Sequence, residues 1–280
     1  MKRHFLWILF SAGCIAPYSF EEDPQAPDLE QMVLLDGGSF LMGYPESTPG
    51  PYGNHWKANQ QPEHPVELSS FYLDDTEVTV DDWARFLTEL YIVSPSSAEV
   101  HYFPMQPVVF DAGFMSTPGL GDTAMHYVSW YDAAAYCAWR GKRLPTEAEW
   151  ERAAKGLGED GRIFPWAEPG GPTCGRAVYY TNNTLCETTP VRVGSRSPEG
   201  DTPEGLKDMA GNVAEWVSDW AETYAEATVT NPKGPDTGIH KVLRGGGFRE
   251  TSDALRTRDR VFAQPSARSE GVGFRCALDG

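Results

Sequence analysis

The sequence predicts one loop-rich domain that mixes short strands with short helices, and three observations carry this prediction. The chain of 280 residues contains 28 Gly and 22 Pro, which interrupt long regular elements. Nine Trp and twelve Tyr supply large anchors that can pin irregular loops to a core. No Pro/Ser linker divides residues 31–280, so this length is expected to form a single domain with an ample core.

The net charge of the chain is -17. Phosphate groups would be repelled by such a surface, which argues against nucleic acid and against anionic membrane surfaces as partners. A strongly acidic chain is compatible with cation binding or simply with solubility. We expect a monomer whose partner is a protein or a small-molecule ligand that the composition does not identify.

Short apolar runs and cap residues place the elements in order along the chain. Thr79 caps a predicted helix with one apolar face, Gly141 ends a second helix, and Thr146 with Glu149 forms a capping box at the start of a third. Residues 44–62 are expected to be loop, and residues 93–124 carry no clear pattern. The predicted helices are 81–90, 131–140 and 147–155, and the predicted strands are 32–35, 39–43, 66–73, 241–248, 255–262 and 273–277.

Residues 1–13 are predicted to be a signal peptide. Lys2 and Arg3 precede a short apolar run, and the small residues 11–13 stand directly before Cys14. This order resembles a bacterial lipobox, in which the cysteine is lipidated, although Ser11 departs from the usual Leu. We therefore expect a lipid on Cys14, a tether at 14–30 and an extracytoplasmic, lipid-anchored protein at the periplasmic or cell-surface side of a bacterial membrane. Ordinary secretion is the alternative.

The remaining four cysteines are an even number in a compartment that permits disulfides. Sequence alone allows three pairings, and we favour Cys137 with Cys276 and Cys174 with Cys186. A site in which all four cysteines bind one metal is a poor alternative, because no Cys-x-x-Cys occurs and the four are scattered.

Residues 205–220 combine two acids with a turn. Asp208 and Glu215 flank the dipeptide Gly211-Asn212, which lets the backbone bring both carboxylates to one point. Carboxylates and turn carbonyls together suit a hard cation such as calcium. The alternative is a capped turn with solvated acids that leads into a strand or a helix.

Several short motifs occur in a fixed order along the chain. They are Phe-Leu-Met-Gly at 40–43, Val-Ser-Trp at 128–130, Arg-Leu-Pro-Thr-Glu-Ala-Glu-Trp-Glu at 143–151, Gly-Leu at 205–206, Asp-Met-Ala-Gly-Asn-Val at 208–213, Leu-Arg-Gly-Gly at 243–246 and Gly-Phe-Arg-Cys at 273–276. Together they resemble the formylglycine-generating enzyme family, also called sulfatase-modifying factors. The resemblance implies an irregular α+β fold, a variant of the C-type lectin fold, over residues 31–280. It also implies a disulfide at the positions of Cys137 and Cys276.

The resemblance also implies a calcium site. Family members bind calcium through a side chain at the position of Asp208, carbonyls at those of Gly211 and Val213, and the carboxylate at that of Glu215. All four residues here can serve as oxygen donors. A second family site is not expected, because the loop that holds Asn182 and Asn183 is short and contains Cys186.

The copper chemistry of the family is not expected here. Aerobic members hold copper(I) with two cysteines, whose soft thiolates select that ion. The matching positions are Glu250 and Leu255, and two further positions depart as well: Gly247 replaces a Ser and Ala214 replaces a Trp. We therefore expect no copper cofactor.

Other chemistry in the same cleft has limited support. Glu250 is the one candidate for a catalytic side chain. The six histidines show no metal-ligand spacing. The cleft candidates are Arg249, Glu250, Arg256, Arg258, Asp259 and Arg260, and the alternative for them is surface ion pairs on the closing strands. Arg143, Glu147 and Glu149 are expected to cap and pair within the fold rather than to catalyse.

Two functional hypotheses follow. The first is a calcium-stabilised binding or scaffold module without formylglycine-generating activity. The second is an oxidoreductase of the same family that acts on a protein cysteine or on a siderophore-like small molecule. Retained structural motifs beside lost copper cysteines favour the first hypothesis.

Overall fold

The computed structural model describes residue 29 and residues 31–45, 58–158, 162–166, 169–181 and 183–280. The predicted signal peptide, Cys14, Asn182 and all of the predicted tether except Leu29 lie outside these residues. Within the described ranges, no helix is both long and apolar enough to cross a membrane.

The described chain is a mixed α+β domain, which confirms the predicted fold class. Its strands are short and form five small sheets. The helices are α1 (Val80–Val93), α2 (Pro95–Glu99), α3 (Trp130–Trp139) and α4 (Glu147–Lys155), with 3-10 turns at Ala58–Gln60 and Ser252–Leu255. The strands are β1 (Met32–Leu35), β2 (Gly38–Met42), β3 (His64–Leu68), β4 (Phe71–Asp74), β5 (Val108–Phe110), β6 (Phe114–Ser116), β7 (Tyr180–Thr181), β8 (Thr184–Leu185), β9 (Ala214–Trp220), β10 (Val229–Thr230), β11 (Lys241–Arg244), β12 (Val261–Ala263), β13 (Val272–Gly273) and β14 (Ala277–Asp279).

The largest sheet has the order β12-β11-β9-β13. Strand β9 pairs antiparallel with β11, so that Glu215 lies opposite Arg244, and parallel with β13. Three segments that are distant in sequence therefore meet at one place: the acid-containing turn before β9, the glycine turn after β11 and the C-terminal segment.

A second sheet joins the two ends of the domain. Strand β4 lies between β1 and β14 and pairs antiparallel with both. The disulfide between Cys137 and Cys276 fixes α3 to the start of β14, and both cysteines are fully buried. It closes a loop with a sequence separation of 139 residues. In the chain-entropy model such a cross-link stabilises by roughly 5 kcal/mol.

The predicted caps are confirmed. The hydroxyl of Thr79 accepts from the amide of Asp82 at the start of α1. Thr146 and Glu149 form a reciprocal capping box at α4, with each side chain accepting from the other residue's backbone N–H. These bonds satisfy amide groups that the first helical turn leaves without partners.

Three cores surround the sheets. The first packs α1 and α3 around Trp83, Tyr136 and Phe274. The second packs α4 against the sheets around Trp150. The third core is small; it consists of Phe164, Trp166, Ala177, Tyr179, Ala210 and Leu255.

Several predicted boundaries are wrong. The segment 66–73 is two strands, β3 and β4, with a turn between them, because both sides of the turn are apolar and the break at 69–70 is only two serines. Only the end of 255–262 is a strand, since Leu255 is drawn into the third core. Residues 93–124, which lacked a pattern, contain α2 and the hairpin β5–β6.

Candidate functional site

A glycine turn shapes the site. Strand β11 ends at Arg244 and is followed by Gly245 and Gly246, whose φ values of 85° and 69° are in the left-handed region that favours glycine. A Cβ at Gly246 would lie 2.9 Å from the carbonyl oxygen of Ala254, and a Cβ at Gly247 would lie 2.7 Å from that of Gly271. Close backbone approach at these positions brings residues 244–254 and 268–272 to opposite sides of one cleft.

The cleft has a volume of about 420 Å³. Ala214, where the family resemblance implies a Trp, contributes to its lining, so the space beside β9 is left open by a small side chain. The lining residues are Tyr127, Ala214, Leu243, Arg244, Gly245, Gly246, Gly247, Arg249, Glu250, Ala254, Asp259, Val261, Arg268, Ser269, Glu270, Gly271 and Val272.

Charges of both signs border this cleft. Arg249 pairs with Glu270 at 2.9 Å, and the Arg249 side chain is 57% exposed. Arg268 pairs with Asp132 at 2.8 Å and lies over the ring of Phe103. The rim of the cleft therefore carries charges of both signs that are paired within the protein.

The two residues that stand at the copper-cysteine positions lie in different environments. Glu250 is exposed and lines the cleft. Leu255 is fully buried in the third core, behind the cleft wall. Because Cys137, Cys174, Cys186 and Cys276 are joined in two disulfides, the described residues contain no thiolate that could bind copper. Both favoured cysteine pairings are confirmed.

Three of the other charged candidates do not line the cleft. Arg256 and Asp259 are 2% exposed, and Arg260 is 1% exposed, so the alternative of surface ion pairs is wrong for these buried residues, whereas it holds for Arg249, which pairs with Glu270. Arg260 donates to Glu147 at 2.6 Å, and Asp259 accepts from Gln60. Of the proposed cleft residues, Arg249, Glu250 and Asp259 line it and Arg256, Arg258 and Arg260 do not.

The pairing residues behave as expected. Arg143 donates to both carboxylate oxygens of Glu149 at 2.7 Å, and also to Asp279. Glu147 lies between Arg244, at 3.2 Å, and Arg260. These ion pairs join α4 to the large sheet and to the C-terminal strand.

The two acids that flank the turn before β9 are buried, which contradicts the alternative of solvated acids at this turn. Glu215 is 1% exposed, and Arg275 donates to its two oxygens at 2.8 Å each. The indole N–H of Trp150 donates to the same carboxylate at 2.8 Å. Arg275 also donates to the carbonyl oxygens of Asp74 and Lys207. Glu215 therefore already has its positive partner inside the protein.

Asp208 and Glu77 lie beside this pair. The carboxylate of Asp208 accepts from the amide of Gly194, and that of Glu77 accepts from the side-chain amide of Asn212 at 3.1 Å. Burial raises the pKa of both carboxyl groups, and proximity of the Asp208 carboxylate raises the Glu77 pKa further. Glu77 was missed by sequence reasoning, because a single acid in a turn between strand and helix carries no distinctive pattern.

The predicted calcium ligands fit this arrangement poorly. Of the predicted ligands Asp208, Gly211, Val213 and Glu215, the last already accepts hydrogen bonds at both carboxylate oxygens, from Arg275 and from Trp150. Among the residues that the structure describes, no three His, Cys, Asp or Glu side chains are grouped so that they could hold a metal ion. Calcium at this turn stays a prediction from the sequence that the described geometry does not favour, because binding would require Glu215 to leave Arg275.

The described histidines act in local hydrogen bonds. The Nδ1 of His101 lies 3.0 Å from Asp132, and that of His126 lies 2.9 Å from the carbonyl oxygen of Ala124. Burial lowers the pKa of His126. His64 contacts the carbonyl oxygen of Pro62 and stacks near Tyr224.

Similar proteins agree with this architecture. The chain is 35% identical to the formylglycine-generating enzyme of Streptomyces coelicolor, and the match covers 88% of each protein. It is 34% identical to the serine/threonine-protein kinase pkn1 of Chlamydia pneumoniae, of which it spans only 39% of the length. Among solved structures, Treponema denticola variable protein 1 has the same fold, with a TM-score of 0.65 at 22% identity over 89% of this chain and 95% of that one.

The family model described as the sulfatase-modifying factor enzyme 1-like domain matches residues 17–280. The disulfide from α3 to β14, the glycine turn and the turn before β9 all lie within this match. The chain therefore belongs to the formylglycine-generating enzyme family of sulfatase-modifying factor domains.

Proposed function

We propose that this protein is an extracytoplasmic binding or scaffold module that has retained the family fold and lost its copper-dependent oxidation. The observation that carries the proposal is the pair of residues at the copper positions. Glu250 offers an oxygen donor, which does not select copper(I), and Leu255 offers no donor at all. Both disulfides remove the remaining described cysteines from metal binding.

The cleft supports binding of a short, polar ligand such as a peptide segment. Its volume of about 420 Å³ falls within the range of ordinary ligand sites. Its rim presents Arg249 and Arg268 beside Glu270 and Glu250, so a ligand with both charges would be paired rather than repelled. The ligand itself is a protein or a small molecule that these groups alone do not name.

An oxidoreductase is the second candidate, and one observation favours it. Glu250 is an exposed carboxylate on the cleft wall, where a general base could reach a bound ligand. Such an activity would require an oxidation cofactor other than copper held by thiolates. A protein cysteine or a siderophore-like molecule would be the substrate.

Lipid anchoring at Cys14 and an extracytoplasmic location form part of the proposal. The basic start, the short apolar run and the small residues before Cys14 support them. Two disulfides are compatible with an oxidising compartment. Labelling of whole cells with a fatty-acid analogue, with Cys14→Ser as the control, tests the lipid.

A copper(I) titration of the purified mature protein tests the main proposal. We expect no copper uptake, no free thiols under denaturing conditions and no turnover of a peptide that contains the sulfatase motif. The Streptomyces coelicolor relative serves as the positive control. Stoichiometric copper together with two free thiols, or conversion of the peptide, would overturn the proposal.

A further inference from the structure

The two disulfides differ in their access to solvent. Cys137 and Cys276 are fully buried in the first core. Cys174 is exposed and Cys186 is half-buried. Thiol–disulfide exchange requires a thiolate to reach one of the two sulfur atoms. Of the two bonds, the one between Cys174 and Cys186 therefore joins the more exposed residues, and we expect a thiol in solution to reach it from the side of Cys174.

The segment closed by this bond supports the cleft wall from behind. We call residues 174–181 and 183–186 the disulfide loop. Ala177 and Tyr179 of the loop pack in the third core with Leu255, and Cys186 packs against the same core. Ala254, which precedes Leu255, lines the cleft. The third core thus lies between the disulfide loop and the wall formed by residues 250–255.

Backbone hydrogen bonds attach the disulfide loop on two sides. The amide of Tyr180 donates to the carbonyl oxygen of Glu250 at 2.8 Å. The amide of Asn212 donates to the carbonyl oxygen of Val178 at 2.9 Å. The loop therefore holds the cleft wall at Glu250 and the turn before β9 in a fixed relation.

We propose that the disulfide between Cys174 and Cys186 is a redox-sensitive latch on the wall at 250–255, and that a dithiol reductant releases it. A cross-link confines the loop to few conformations, and its removal lets the loop open locally. Leu255 packs against the loop, and the carbonyl oxygen of Glu250 accepts a hydrogen bond from it. Opening of the loop is therefore expected to increase the mobility of residues 250–255.

A dithiol supplies the two electrons and two protons that reduction of the disulfide requires. A thiolate of the reductant attacks Sγ of Cys174, the sulfur–sulfur bond breaks, and its electron pair leaves on Sγ of Cys186, which takes up a proton. The second thiolate of the reductant attacks the mixed disulfide and releases Cys174 as a thiol after protonation. The protein gains two electrons and two protons, and the reductant becomes a disulfide.

Any effect on ligand affinity rests on the proposed binding function of the cleft. The latch itself does not depend on a ligand, since it concerns the covalent bond and the wall. Its tests therefore read the protein alone, and they can fail while the binding proposal stands.

Selective alkylation tests the chemistry. The folded protein is treated with dithiothreitol without denaturant, alkylated with iodoacetamide and mapped by peptide mass spectrometry. We expect label on Cys174 and Cys186 and none on Cys137 or Cys276. Equal labelling of all four cysteines, or no labelling, would contradict the latch.

Hydrogen exchange tests the coupling to the wall. After reduction we expect the amide of Tyr180 and the amides of residues 250–255 to exchange about tenfold faster or more. The double variant Cys174→Ser/Cys186→Ser is expected to exchange fast without reductant and to show no further change with it. Faster exchange confined to the disulfide loop, with residues 250–255 unchanged, would overturn the proposal.

Discussion

Arg275 donates from Nε and Nη2 to the two carboxylate oxygens of Glu215, at 2.8 Å each, and both side chains are essentially fully buried. The pair joins the central strand β9 to the residue before Cys276. The guanidinium of Arg275 also donates to the carbonyl oxygens of Asp74 and Lys207. One ion pair thus ties four segments of the chain together.

Removal of one partner from this pair is expected to destabilise the fold strongly. Glu215→Gln leaves the guanidinium of Arg275 buried without its charge partner, which costs about 3 to 5 kcal/mol of unfolding free energy. Urea unfolding measures the loss. Asp122→Asn is the matched control, because its pair with Arg192 is exposed and such pairs contribute about 1 kcal/mol or less. Equal losses in the two variants would contradict the assignment.

The same pair bears on calcium. Because Arg275 already neutralises Glu215, we expect a chelator to leave the midpoint of thermal unfolding of the full chain unchanged. Isothermal titration of chelator-treated protein with calcium is expected to show no site at the 208–215 turn. A rise of the midpoint with calcium that Asp208→Asn abolishes would instead support the calcium prediction and would require Glu215 to leave Arg275.

Asp219 predicts a pH dependence of stability. Burial, with the carboxylate of Glu147 nearby, raises the pKa of Asp219 to about 7, although the amide of Glu147 donates to it. An unfolded chain releases this proton near pH 3.9, so the unfolded state deprotonates first and stability falls as the pH rises from about 4 to about 7.

Asp219→Asn should remove this loss. At each pH, the unfolding free energy of the wild type is subtracted from that of the variant. This difference is expected to be roughly 2 to 3 kcal/mol larger at about pH 8 than at about pH 5. Urea unfolding at both pH values checks this, with Asp122→Asn as the exposed control. A gain that does not change with pH would contradict the assignment.

Lys241 occupies an internal aromatic cage. Its ammonium lies 3.9 Å from the ring centroid of Trp130 and 4.0 Å from that of Trp220, and it donates to the carbonyl oxygen of Ser218 at 2.6 Å. Burial lowers its pKa to about 8. Lys241→Met keeps the apolar stem but removes two cation–π contacts and a hydrogen bond, at a cost of about 2 to 4 kcal/mol.

Urea unfolding of Lys241→Met checks this cost. Lys233→Met is the control, since Lys233 is exposed and its replacement is expected to change stability by about 0.5 kcal/mol or less. A loss at Lys241 no larger than at Lys233 would show that the two rings do not stabilise the ammonium.

Local sequence signals sufficed where one short segment decides the structure. The caps at Thr79 and Thr146 could be predicted because the capping residue and its partner lie three positions apart. The serine pair inside 66–73 gave no comparable signal, so the turn between β3 and β4 was missed. That turn is set by pairing of β4 with β1 and β14, which are distant in sequence.

The site was less predictable, because it depends on which distant residues meet. Glu250 at the cleft could be placed by counting from the glycine turn. The burial of Arg260 could not, since its partners Glu147 and Asn59 become neighbours only after folding. Arg275 belongs to the Gly-Phe-Arg-Cys motif, but its partner Glu215 lies 60 residues away. No local pattern in the sequence predicts this ion pair.

The disulfide between Cys137 and Cys276 also has a mechanical consequence. A chain pulled apart at residues 31 and 280 could unravel only outside the bond, because the covalent link carries the force past everything between the two cysteines. The 139 positions inside it represent roughly 460 to 500 Å of contour length that stretching cannot release. The central sheet and all of the cleft lining except Tyr127 lie within that protected length, so we expect them to survive a pull that separates the strands β1 and β4 from β14.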